Sequence, residues 1–221
     1  LIDFHSHNPQ TSRADKLIYC HANLDVEIPQ TLRAVDRLCI GLHPWFLPDG
    51  VEEGMKQLKS LYSLYPKATL GECGLDRIRG PEISLQMEFV KEQLQWAKEE
   101  NFPFVVFHCV RCYPEFISLI KSSEYDGKII FHDYRANPDI TNQLLSFPQV
   151  YFSLGGLLFS STLSDRQRET INLIPLSRLL LETDDSNREI SEVYEKYLSI
   201  TDGNKATLTQ EMAANWVKLT L

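Results

Sequence analysis

Eight short apolar runs punctuate the chain, and most are separated by segments whose apolar residues recur at helical spacing. The runs are Leu1 to His7, Leu17 to Cys20, Leu38 to Gly41, Ala68 to Glu72, Phe104 to Phe107, Lys128 to Phe131, Val150 to Ser153 and Arg178 to Glu182. Each is strand length, and Phe104-Val105-Val106-Phe107 shows no alternation at all, as suits a strand covered on both faces. Helices are expected over Pro29 to Arg37, Val51 to Leu64, Ser84 to Glu100, Pro114 to Lys121, Pro138 to Ser146 and Ser164 to Leu173. Two more, Glu189 to Ile200 and Leu208 to Leu219, close the chain. Strands alternating with helices imply a parallel sheet, and eight of them imply an α/β fold of the TIM-type β/α barrel class. The link from Asn8 to Lys16 is too short and polar for a packed helix, so the barrel is expected to be incomplete or thinly covered at its first β/α unit.

Composition narrows the class. The 221 residues are 43% apolar and 24% charged, which suits a single domain over 1–221 with one large core. No run approaches the roughly 18 apolar residues of a membrane helix, and no basic-then-apolar leader precedes the first strand, so no membrane partner and a soluble cytoplasmic protein are expected. Five cysteines, an odd number set mainly in apolar runs, suit reduced thiols; Cys109-Val110-Arg111-Cys112 has redox-motif spacing but no redox context around it. With 22 basic against 30 acidic residues and a net charge of -8, the chain lacks the excess of positive charge used to grip long nucleic acid. Any nucleic-acid contact must be local.

In such barrels the site stands at the C-terminal ends of the strands. Strand side chains two apart share a face, so His5 and His7 of Asp3-Phe4-His5-Ser6-His7 are aimed together, near enough to share a metal ion. His43 follows the third strand, Glu72 the fourth, His108 the fifth, His132 the sixth, and Glu182-Thr183-Asp184-Asp185 the eighth. Five of the six histidines occupy these positions, while His21, at the end of the second strand, reads as a satisfied polar residue. Imidazoles with carboxylates suit borderline to hard divalent ions, leaving zinc, manganese, nickel and magnesium open. Paired ions of this kind polarise phosphoryl oxygens and lower the pKa of water, which points to hydrolysis.

The motifs IDFHSH at 2 to 7, GLHP at 41 to 44, GECGLD at 71 to 76, FHCVR at 107 to 111, FHDYR at 131 to 135, YFSLGG at 151 to 156 and LLETDD at 180 to 185 occur in this order. Together they resemble the TatD-related metal-dependent deoxyribonucleases of the amidohydrolase-like metal hydrolases. The resemblance implies that His5, His7 and Asp184 hold one divalent ion, that His108 and His132 hold a second, and that Glu72 bridges the two. It implies cleavage of DNA phosphodiester bonds, exonucleolytic on single strands, with DNA ends or short oligonucleotides as partners and Asp184 or Glu72 as the base.

Arg111 lies three residues after His108, Arg135 three after His132, and Arg77 and Arg79 follow the Glu72 strand, so guanidinium groups are expected near substrate phosphate. His43 is expected as a substrate or ligand-supporting contact. Asp76 is expected to orient a neighbouring ligand or to cap its loop, and Trp45 and Phe46 to stack a base or to anchor a loop. The chain departs from the family where Asp133-Tyr134-Arg135 replaces a small Cys-Phe-Ser/Thr-Gly-like run, where Asp185-Ser186 stands in place of a residue followed by proline, and where the first helix is missing. An extra carboxylate at 133 could repel phosphate or alter the second metal site. Two other readings therefore stand: hydrolysis of a small phosphoester, amide or lactone, and a metal-binding barrel without turnover.

Overall fold

A computed structural model describes residues 1–28 and 36–220. The expected helix over Pro29 to Arg37 lies largely outside the described residues. Its last residue, Arg37, opens a strand instead.

Among the described residues there are eight strands: β1 (Ile2–Ser6), β2 (Lys16–His21), β3 (Arg37–Ile40), β4 (Thr69–Asp76), β5 (Phe104–Val110), β6 (Lys128–Phe131), β7 (Val150–Leu154) and β8 (Leu179–Leu181). Their order in the sheet is the order of the chain, and the resolved pairings β1·β2, β3·β4, β4·β5 and β7·β8 are parallel. After β8 the chain meets β1 at an isolated parallel bridge between Ser6 and Asp184. The fold is α/β, of the TIM-type β/α barrel class.

The described residues form two compact units, one of Leu1–Tyr19 with Ile130–Leu221 and one of Cys20–Ile129. The first holds the single helical turn α1 (Pro9–Ser12) and the helices α5 (Pro138–Leu145), α6 (Asp165–Leu173), α7 (Ile190–Thr201) and α8 (Lys205–Thr220). The second holds α2 (Val51–Leu64), α3 (Ile83–Glu99) and α4 (Tyr113–Ser122). Only α1 fills the Asn8 to Lys16 link, and Arg13, in left-handed conformation, ends it. The thin cover expected there is present, as one turn rather than none.

Local chemistry explains the boundaries. Asn137 and Ser164 accept backbone N–H groups at the starts of α5 and α6, offsetting donors that a helix start leaves unpaired. Strand β4 runs four residues past Glu72, beyond the expected end, and all eight of its residues are buried. Gly74 permits this: a Cβ there would lie 1.9 Å from the His108 carbonyl oxygen, so only glycine lets β4 lie so close to β5. Strand β5 likewise runs through His108 to Val110. Phe104, Val105, Val106 and Phe107 are all fully buried, as their unbroken apolar run anticipates. At about 25 cal/mol per Å² of apolar surface, each such side chain contributes on the order of 2 kcal/mol.

Candidate metal centre

In the first unit β1 delivers two imidazoles to one place. The rings of His5 and His7 lie 5.1 Å apart at 87°. The Asp184 carboxylate meets both, its Oδ1 standing 3.5 Å from each Nε2. Asp184 has a φ of 55°, a left-handed conformation that Asp tolerates better than most residues. Two backbone bonds fix it there, His7 N–H donating to the Asp184 carbonyl and Asp184 N–H to the His5 carbonyl, each at 3.0 Å.

Asp3, on the same strand, is a strut rather than a ligand. It is fully buried and accepts hydrogen bonds from the Thr183 N–H at 3.1 Å, the Thr183 hydroxyl at 2.6 Å, the Ser12 hydroxyl and the His5 N–H. Burial pushes its carboxyl above the usual range, and these bonds oppose that rise. They tie β1 and α1 to the residues after β8, so the first helical turn contributes through Ser12.

A second group shares His5. The rings of His5 and His132 stack at 4.3 Å, and Glu182 Oε1 lies 4.0 Å from His132 Nδ1 while accepting the Asp133 N–H at 2.6 Å. Glu182 is fully buried, and its Oε2 has no hydrogen-bond partner among the described residues. Burial raises its carboxyl to about 7, against the pull of the two histidines. An unsatisfied carboxylate oxygen costs several kcal/mol in such a setting unless a cation meets it. The donor set therefore fits a divalent ion.

In the second unit the fourth and fifth strands do the positioning. Glu72 Oε2 lies 3.5 Å from His43 Nε2 and 3.8 Å from His108 Nδ1, and the three side chains form a buried group that could hold an ion. The other nitrogen of His108 meets Asp76 Oδ2 at 3.2 Å. That oxygen also accepts the Trp45 indole N–H at 2.6 Å, while Asp76 Oδ1 takes the N–H groups of Ile78 and Arg79. Burial pushes Asp76 up, yet the bonds from Trp45, Ile78, His108 and Arg79 prevail and hold it below the usual carboxylate range. A carboxylate orienting the far nitrogen of an imidazole is the usual support of a metal-binding histidine.

Among the described residues three groups of potential ligands result: His5, His7 and Asp184; His5, His132 and Glu182; and His43, Glu72 and His108, with the ligand atoms of each within 4.8 Å of one another. A family model described as TatD related DNase matches residues 15–216. The chain belongs to the TatD-related DNase family. Its relatives include the metal-dependent hydrolases YabD of Bacillus subtilis (strain 168) and YjjV of Escherichia coli (strain K12), each 28% identical over 149 residues, or 66% of this chain. The 3'-5' ssDNA/RNA exonuclease TatD of Erwinia tasmaniensis is 28% identical over 147 residues, or 65% of this chain. The matched stretch covers 56% of the length of each of these three relatives. Among solved structures, the YjjV TatD homologue of E. coli superimposes with a TM-score of 0.85 at 21% identity, over 99% of this chain and 97% of that one. A TatD family hydrolase from Entamoeba histolytica does so at 0.81 and 16% identity, over 99% and 97%. These structures share the TatD fold with the chain.

Within this TatD-family chain, the ligands that the motifs point to fall in both units: His5, His7, His132 and Asp184 in one, Glu72 and His108 in the other. Two further residues join them. Glu182 closes an apolar strand run and reads in sequence as the end of β8, so nothing in its neighbours signals that it meets His132. His43, expected as a supporting contact, is grouped with Glu72 and His108 as a potential ligand in its own right. The arginines divide as well. Arg135 Nε pairs with Asp133 Oδ2 at 2.6 Å, and Arg77 is tied to the Glu115 carboxylate and, at 3.0 Å, to the Arg111 carbonyl. Arg111 is exposed.

Proposed function

We propose that this TatD-family chain is a single-domain, metal-dependent hydrolase that cleaves phosphodiester bonds at the ends of single-stranded DNA or of short oligonucleotides. The observation that carries the reading is the convergence of His5, His7 and Asp184 from the ends of β1 and β8, with ligand atoms within 4.8 Å of one another. These three residues would hold one divalent ion, with His132 and Glu182 beside His5. In the other unit Glu72 and His108, joined by His43, would hold a second. Zinc, magnesium, manganese and nickel all suit this mixed nitrogen and oxygen set. When bound, such ions polarise phosphoryl oxygens and bring the pKa of water toward neutrality.

The chain's own residues complete the chemistry. Asp184, with a quarter of its side chain exposed, accepts the proton of the attacking water, and Glu72 is the alternative base. Glu72 is 1% exposed, and a carboxylate so buried is offset by a cation. Arg111 in one unit and Arg135 in the other each offer a guanidinium group for contact with substrate phosphate. The five free, buried cysteines suit a reducing cytoplasmic setting, and among the described residues no helix is long and apolar enough to cross a membrane.

One observation favours a second reading. The Asp133 carboxylate occupies Arg135 at 2.6 Å, which lowers the positive charge available to a nucleic-acid strand and would suit a small phosphoester, amide or lactone. Digestion of an end-labelled single-stranded oligonucleotide with each divalent ion, beside the Asp184→Ala protein, tests the first reading. Stepwise shortening that disappears in the variant supports it. No shortening with any ion, while a small ester or phosphodiester is cleaved, would move the substrate to a small molecule.

A further inference from the structure

Two loops of the second unit meet around one indole. Arg79 lies with its guanidinium carbon over the Trp45 ring, 3.9 Å from the centroid, a cation–π contact. Trp45 is held firmly beneath it. Its indole N–H is bonded to Asp76, its backbone N–H donates to His43 Nδ1 at 3.2 Å, and its ring meets the edges of His43 at 4.9 Å and His108 at 5.4 Å. The loop bearing Arg79 is anchored at both ends. Arg79 N–H donates to Asp76 Oδ1 at 3.1 Å, and at Gly80, with φ +95°, a Cβ would come within 2.3 Å of the Pro44 carbonyl oxygen. Only glycine allows the loop to lie so close to the segment that carries Trp45.

Arg79 is thus a fixed cation whose charge is not cancelled. It is exposed, it forms no salt bridge among the described residues, and none of its guanidinium N–H groups has a hydrogen-bond partner there. Arg77, two residues earlier, is the contrast, since Glu115 and the Arg111 carbonyl already occupy it. A guanidinium seated over an aromatic ring, with its N–H groups unengaged, is available for bidentate bonds to a phosphate and loses little further freedom when it makes them. The indole that carries this guanidinium also touches His43 and His108.

We propose that Arg79, seated on Trp45, is an anion subsite that grips a phosphate of the substrate strand beside the Glu72 and His108 group. This rests on the nucleic-acid reading above. Arg79 is a binding residue and Trp45 positions it, so the readout is strand binding rather than turnover alone. The test measures the affinity of an end-labelled, cleavage-resistant phosphorothioate thymidine oligonucleotide over a range of sodium chloride concentrations, for the parent protein, Arg79→Ala and Arg79→Lys. Arg79→Ala is expected to bind about tenfold more weakly, as for one lost charge-assisted bond pair. Its slope of log affinity against log salt is expected to fall by about 0.7, the share of one single-strand phosphate contact. Arg79→Lys keeps the charge but not the guanidinium, and is expected to keep the slope and recover part of the affinity. Equal affinity and slope for Arg79→Ala and the parent would overturn the subsite and leave the metal reading standing. No binding by the parent protein would remove the nucleic-acid reading and the subsite together.

Discussion

Two carboxylates beside the ligand histidines, Asp76 and Glu182, are supported in opposite ways. Beside His108, Asp76 takes four donors, one of them the indole of Trp45, and is held below the usual carboxylate range by them. Around His5 and His132 the carboxylate of Glu182 is buried with one oxygen bonded to the Asp133 N–H and the other unmatched. Hydrogen bonding alone can set the orientation of His108, whereas the Glu182 side needs a cation to offset its buried charge. The segment around Glu182 should therefore follow the metal more closely in its local stability than the segment around Asp76.

Breaking the first unit's centre should have the largest effect. Asp184→Ala removes the carboxylate shared by His5 and His7 and is expected to lower metal-dependent cleavage about a thousandfold, as the loss of several kcal/mol of transition-state stabilisation would. Initial rates on an end-labelled oligonucleotide measure it.

Glu182→Gln sharpens the comparison. It keeps the shape and removes the charge, so divalent affinity is expected to weaken about 10- to 100-fold by calorimetric titration. Without metal the variant should be at least as stable as the parent, because the unmatched charge is gone. A metal-free variant well below the parent in melting temperature would contradict that account of Glu182.

Metal itself should act unequally on these two segments. At about 100 times its dissociation constant an ion adds about 2.7 kcal/mol, or roughly 5 to 10 °C in the melting temperature of a chain this size. Hydrogen exchange should slow more at Glu182 to Asp184 than at Asp76 to Ile78 on adding metal. Equal protection at both would erase the distinction. In the second unit, Trp45→Phe keeps a ring under Arg79 but takes one donor from Asp76, and is expected to cost activity about tenfold, measured as kcat on the same oligonucleotide. The smallest effect falls on the exposed pair of Arg77 and Glu115, where Arg77→Ala should change unfolding free energy by no more than about 1 kcal/mol in a denaturant titration.

How much of this was legible beforehand depended on how far apart the partners lie in the chain. His5 and His7 declare themselves because a strand repeats every two residues, and the apolar runs of β1 to β8 are plain in the sequence. The apolar runs stop at Glu72 and Phe107, short of the strand ends at Asp76 and Val110, because the close approach that Gly74 permits is a property of two strands together. Asp76 could be suspected of orienting a ligand, but which imidazole it meets is decided by a partner 32 positions away. Glu182 and the seating of Arg79 on Trp45 were beyond reach for the same reason, since neither residue's neighbours in sequence carry any trace of the contact.

The most direct test of the central claim is anomalous diffraction from crystals grown with manganese or zinc. The account predicts an ion bonded by His5, His7 and Asp184. Anomalous density absent from these three residues, in crystals of protein that cleaves its substrate with the same metal, would contradict it.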